Sequence, residues 1–213
     1  MCRILLKIWF ISLIFTHSNW VGANAYDEIL NAIKLNNIPA AEALFARGLD
    51  VNTTDPSANT LLMLAVRESH LDLVKRLLER KANLAARNSY GETALMLAAA
   101  KSNLEMVKLL IDKGAAVNQP GWNALIYAAW QGKTDMVKYL LEKGAEIDAV
   151  SPNGISALML AARSGHLETV KLLLWEVADP NLKSDIGASA LGWALKAGNT
   201  AVVDALRQAG AKE

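Results

Sequence analysis

Cysteine is almost missing from this sequence: Cys2 is the only one in 213 residues. No disulfide framework can hold the chain, and no cysteine cluster can bind a structural metal. An excess of one charge sign is missing too, with 22 basic residues against 21 acidic ones. That balance gives no electrostatic basis for binding nucleic acid. Long apolar runs are absent as well. The longest run near the start, Ile8 to Phe15, is too short to span a bilayer.

Acids are absent from the first 25 residues, where Arg3 and Lys7 precede that apolar run. Polar Thr16 to Asn19 follow, and then Ala23-Asn24-Ala25 offers a small-x-small cleavage site. Residues 1–25 are therefore expected to be a secretory signal cut between Ala25 and Tyr26, with an uncleaved anchor as the alternative. Lipoprotein processing does not fit, because Cys2 lies ahead of the apolar run. Cleavage removes Arg3, Lys7 and Cys2 and no acid, so residues 26–213 are close to neutral and free of cysteine. Such a chain can enter an oxidising compartment without mispairing, and packing alone must hold it.

Self-similarity organises what remains. "TLLMLAVRESHLDLVKRLLERKANL" from Thr60 aligns with "TALMLAAAKSNLEMVKLLIDKGAAV" from Thr93 and "NALIYAAWQGKTDMVKYLLEKGAEI" from Asn123. "SALMLAARSGHLETVKLLLWEVADP" from Ser156 and "SALGWALKAGNTAVVDALRQAGAKE" from Ser189 complete the series. The steps are 33, 30, 33 and 33 residues, and an upstream unit ends at Gly48, 33 before Lys81. A Thr, Ser or Asn opens each first helix as its cap. Alanine pairs such as Ala98-Ala99, Ala128-Ala129 and Ala161-Ala162 let neighbouring helices approach closely. A polar turn then leads to a second helix with apolar residues at helical spacing, as in Met106, Val107, Leu109 and Leu110. Gly48, Gly114, Gly144 and Gly210 stand where a left-handed residue ends that helix. No unit can bury its apolar face alone, so the units must stack.

With period, alanine pair, the "GHLE" turn at Gly165 to Glu168 and the "GA-x-x-N" ending at Gly114 to Asn118 in one register, the sequence resembles the ankyrin-repeat family. The resemblance covers essentially all of residues 26–213. It implies an all-α repeat fold, a helix-turn-helix solenoid of about six stacked units at 26–55, 56–88, 89–118, 119–150, 151–183 and 184–213. Hairpin-like loops are expected to project at right angles from the helix pairs. The sequence departs from the family's Thr-Pro-Leu-His tetrad: Leu61, Ala94, Ala124, Ala157 and Ala190 replace the proline, and Met63, Met96, Ile126, Met159 and Gly192 replace the histidine. Apolar packing is expected there instead of the histidine's hydrogen bonds. Lys81 and Val177 replace the terminating glycine, and a left-handed valine costs on the order of 1 kcal/mol or more.

Catalytic constellations are lacking. Past residue 25 the only histidines are His70 and His166, both in the turn between paired helices and both without a second ligand or base at a motif spacing. They read as structural or solvated. Glu105, Asp135 and Glu168 recur at second-helix starts, where the helix dipole accounts for them. There is no Gly-rich phosphate loop following a strand. No cofactor, metal ligand or enzymatic activity is expected.

The family typically binds proteins on the concave face built by loop tips and first helices. The register brings Tyr90, Glu92, Trp122 and Ile155 to the loops of that face, and Lys101, Trp130, Gln131 and Arg163 to the ends of its first helices. Large aromatics rimmed by polar groups have the composition of an interface hot spot. The alternative is that the 30-residue step lets Trp122 fold down onto a neighbouring repeat, with Trp130 stacked on it. Trp193 takes a core-facing position, and Trp175, at a second-helix end, covers the gap left where Val177 replaces glycine. The expected protein is an exported binding module of a Gram-negative bacterium, periplasmic or secreted, monomeric when free and without a stable membrane anchor. By resemblance to exported bacterial ankyrin proteins, its partner would be a periplasmic stress-defence enzyme or a toxin to be neutralised, the chain acting as a periplasmic accessory or inhibitor (immunity-like) protein. Rival readings are a secreted effector acting on host proteins, and an enzyme or small-ligand binder using the same face.

Overall fold

The computed structural model describes residues 24–212, so most of the expected signal segment lies outside the described residues. They are helical apart from turns, loops and two isolated antiparallel bridges, Thr54 to Thr60 and Val150 to Ser156. Among them no helix is long and apolar enough to cross a membrane. They fall into two compact units, one ending at Ala82 and one starting at Asn83.

The first unit contains α1 (24–34), α2 (Ile38–Ala46), α3 (Leu61–Arg67) and α4 (Leu71–Glu79). Leu61, Leu62, Met63, Ala65 and Val66 of α3 are buried, as are Leu73, Val74 and Leu77 of α4. His70 caps α4 by position and donates from Nε2 to the Lys34 carbonyl at 3.3 Å. The carbonyl can only accept, so this geometry assigns the proton to Nε2.

The second unit contains four helix pairs. They are α5 (Ala94–Ala100) with α6 (Leu104–Asp112), α7 (Ala124–Trp130) with α8 (Thr134–Glu142), α9 (Ala157–Arg163) with α10 (Leu167–Trp175), and α11 (Ala190–Ala197) with α12 (Thr200–Gln208). The first helices pack side by side in the order α5, α7, α9, α11, and α8, α10 and α12 form a second layer. Sequence dictates both layers. Ala98, Ala99, Ala128, Ala129, Ala161 and Ala162 are buried between first helices, where a larger side chain would hold the backbones apart. Second helices bury residues at i, i+1 and i+4: Met106, Val107, Leu110; Met136, Val137, Leu140; Thr169, Val170, Leu173; Val202, Val203, Leu206. That spacing is one face of an α-helix.

The expected caps form. Thr60, Thr93, Asn123, Ser156 and Ser189 each accept a hydrogen bond from the backbone N–H three residues on, a contact worth about 1 kcal/mol. Met63, Met96, Ile126 and Met159 are buried, so apolar packing does take over the histidine positions there. Gly192, the fifth, is exposed and has no side chain to pack. Gly48, Gly114, Gly144 and Gly210 are left-handed, and so are Lys81 (φ 62°) and Val177 (φ 68°). Trp175 corrects an expectation: at 82% exposure it covers no gap. The second-helix end turns it outward, and Val177 beside it is equally exposed.

Candidate functional site

Three aromatic rings meet where the 114–123 connection enters α7. The Trp122 ring lies 5.4 Å from that of Tyr127 and 6.4 Å from that of Trp130, both tilted. Tyr127 and Trp130 share a helix face through their i, i+3 spacing, and Trp122 precedes the cap Asn123 by one residue. Trp122 and Tyr127 are half-buried, while Trp130 keeps 46% of its surface exposed. Trp122 packs on two rings of its own repeat, not on a neighbouring one, and Trp130 keeps part of its ring exposed.

The cluster connects to the preceding loop. Tyr127 donates from its hydroxyl to Glu92 Oε1 at 3.0 Å, and Asn88 Nδ2 donates to Glu92 Oε2 at 2.9 Å. Asn88 Oδ1 accepts from the N–H groups of Tyr90 and Glu92, closing the turn that leaves Tyr90 79% exposed at its tip. Burial, followed by the charge and hydrogen bond of Glu92, pushes the Tyr127 hydroxyl up to about 12. Tyr127 is therefore a neutral donor through the physiological range. Arg87 donates to the Gly91 carbonyl at 2.9 Å and to Gln119 Oε1 at 2.7 Å, joining this turn to the next. A cleft of about 550 Å³ is lined by Gln119, Pro120, Gly121 and Val150 among others.

Trp130 is held from below. His166, the residue before α10, donates from Nε2 to the Trp130 carbonyl at 3.0 Å. Its ring occupies space that only glycine leaves open: a Cβ on Gly132 would lie 2.5 Å from His166 Nδ1. The structural role expected of this histidine thus has a defined target.

Among the other expected site residues, Lys101 and Gln131 are exposed at the successive caps of α5 and α7. Ile155 is half-buried, with its N–H bonded to Ser151 Oγ at 3.1 Å. Arg163 belongs to a second centre. Its guanidinium lies 5.3 Å from the centroid of Trp193, and with Ile186, Trp193, Lys196 and Ala197 it lines a cleft of about 400 Å³. This corrects the assignment of Trp193 to the core. Its register matches Leu97, Tyr127 and Leu160. The two leucines are buried, but a tryptophan exceeds that space and emerges half-exposed, as Tyr127 does. Tyr127 and Trp193 were both missed as site residues; the available signal was their shared register, which precedes by three places the register that holds Trp130, Arg163 and Lys196.

Among the described residues no three His, Cys, Asp or Glu side chains gather as a metal site. What the face offers is anchored aromatic surface with hydrogen-bonding groups at its margin.

A family model described as ankyrin repeats (3 copies) matches residues 29–120, 62–151 and 125–213. Among solved structures, the chain is similar to a chain in the complex of the Bd0816 predatory endopeptidase of Bdellovibrio bacteriovorus with the immunity protein Bd3460. That likeness has 30% identity and a TM-score of 0.76 over 85% of this chain and 97% of the other. It is also similar to the human ASB11 ankyrin repeat domain, at 24% identity and a TM-score of 0.77 over 86% of this chain and 84% of that one. No curated protein matches the sequence.

Proposed function

The chain belongs to the ankyrin-repeat family, a family of protein-interaction modules, and from that premise we propose that it is an exported immunity-type protein that caps one partner, a peptidase of the same compartment. Residues 1–25 carry it out of the cytoplasm and are removed. The partner seats on the face formed by the loops and first helices, against Trp122, Trp130 and Tyr90, with Glu92, Lys101, Gln131 and Ile155 around them and Arg163 at the second centre. Inhibition is stoichiometric and needs no chemistry from this chain.

One observation carries the reading: Trp130 is exposed yet fixed, its carbonyl held by His166 and its ring against Trp122. Exposed aromatic surface that is already ordered loses little entropy on binding. The likeness to a chain of an endopeptidase–immunity protein complex supports the choice of partner class.

The test is affinity capture from a periplasmic extract of the native organism, comparing the protein with a folded Trp122→Ala/Trp130→Ala variant by quantitative mass spectrometry. A peptidase retained by the first and lost by the second is the expected result. Equal retention by both would remove the tryptophans from the site, and absence of any peptidase would reject the partner class. The same extract supplies the native chain, expected to begin at Tyr26; a start at Met1 would reject export by cleavage.

A further inference from the structure

The second centre differs in chemistry from the aromatic cluster. Around Trp122 the charged group is a carboxylate, Glu92, already engaged by Tyr127 and Asn88. Around Trp193 the charged groups are cations. Arg163 spreads its guanidinium over the Trp193 ring, which leaves its N–H edges free to donate in the plane. Lys196 follows Trp193 by one helical turn and lines the same cleft. Among the described residues neither Arg163 nor Lys196 enters an ion pair. The acid nearest in sequence on the loop, Asp185, has its carboxylate against Gly154 and does not line the cleft.

The apolar side of the cleft supplied by the loop is open to solvent. Ile186 stands 83% exposed at its loop tip and lines the cleft together with the half-buried Trp193. The backbone at Arg163 is fixed, because Asn199 Nδ2 donates to the carbonyls of Ala162 at 2.9 Å and Arg163 at 3.1 Å. The backbone carrying the guanidinium is thereby tied to the last repeat. At about 400 Å³ the cleft lies in the size range of specific side-chain and ligand pockets.

We infer that this cleft takes an acidic-apolar segment of the partner protein: an aliphatic or aromatic side chain enters between Ile186 and Trp193, and an adjacent Asp or Glu carboxylate accepts from Arg163 and pairs with Lys196. The inference rests on the reading that this face binds a protein, and it adds the chemistry of the bound segment. Cations that have no ion-pair partner among the described residues gain one on binding, while the engaged Glu92 in the neighbouring centre disfavours the same acidic segment there. The two centres together fix one orientation for the partner.

Fluorescence polarisation with synthetic eight-residue peptide pools tests this on the full chain. One set of pools is C-terminally amidated, a second has free C-termini, and each includes Asn/Gln counterparts of the Asp/Glu positions. Amidated pools with Asp or Glu beside Leu, Ile, Phe or Trp are expected to bind best, and more weakly as salt rises. Arg163→Ala/Lys196→Ala is expected to weaken them by about tenfold or more, while Trp175→Gln, at an exposed second-helix end, leaves them unchanged. Arg163→Glu/Lys196→Glu, at two exposed positions, should shift the preference to Lys- and Arg-containing pools. Equal binding of amide counterparts, binding by free C-termini alone, no binding by any pool, or indifference to the double variants would each overturn the inference. A native partner retained equally by the protein and by Arg163→Ala/Lys196→Ala would overturn it too, yet leave the proposed function standing.

Discussion

Trp130 and Trp175 are the most exposed tryptophans of the second unit among the described residues, and they are exposed in different ways. Trp130 closes a first helix with its carbonyl bonded to His166 and its ring near Trp122. Trp175 closes a second helix, is 82% exposed, and among the described residues has no ring contact. Its neighbour Val177 is equally exposed in a left-handed conformation. Exposure of a large aromatic therefore does not by itself mark a recognition surface. The side with fixed aromatics has already lost the conformational freedom that binding would otherwise remove, and the other side has not.

The comparison breaks most sharply at Gly132. Alanine there must adopt φ +65° and would set its Cβ 2.5 Å from His166 Nδ1. Left-handed strain and overpacking together are expected to cost about 2–4 kcal/mol, read as a lowered urea midpoint, with a shift in tryptophan emission as Trp130 is released. Gly187→Ala is the control. Its φ is +75°, but a Cβ there meets nothing within 4 Å, so only the backbone term of about 1–2 kcal/mol applies. Equal losses for the two variants would mean that His166 does not hold Trp130 in place.

At the other side the comparison sharpens with Val177→Gly. The valine side chain is almost wholly exposed, so little packing is lost, and the strain at φ 68° is relieved. A gain of about 1 kcal/mol is expected, equivalent to a rise of about 2–4 °C in Tm for a chain of this size. A lower Tm would show that the valine has a role which its exposure conceals.

Legibility in the sequence follows the range of the interaction. The caps at Thr60, Thr93, Asn123, Ser156 and Ser189 and the glycine stops depend on neighbours within one turn, and the alanine pairs, which pack between successive first helices, were readable from the repeat that orders them. Tyr127 was hidden for a different reason: inside "NALIYAAW" it reads as one more apolar residue, and its role arises from Glu92, 35 residues away. Trp193 was misread because register fixes direction and not fit. A position that buries Leu97 and Leu160 cannot bury an indole without spreading the helices, so the ring emerges and meets Arg163. Trp175 was misread by assuming that a missing glycine leaves a gap, when the chain keeps the left-handed turn and accepts the strain at Val177.

The smallest expected effect is the one on which the comparison rests. Trp175→Gln replaces an indole that is 82% exposed and should change stability by no more than about 0.5 kcal/mol. It should also leave capture of the partner intact. Trp130→Gln removes an indole just over half buried, with a ring neighbour and a fixed backbone, and should abolish capture while the fold survives. A Trp175 variant that loses the partner would relocate the interface to the second-helix layer, where Val177's strain would then serve to present it. A Trp175 variant that loses more than about 1 kcal/mol would mean that the indole packs in solution. If neither occurs and only Trp130 matters, the distinction that counts is whether the ring was ordered before the partner arrived.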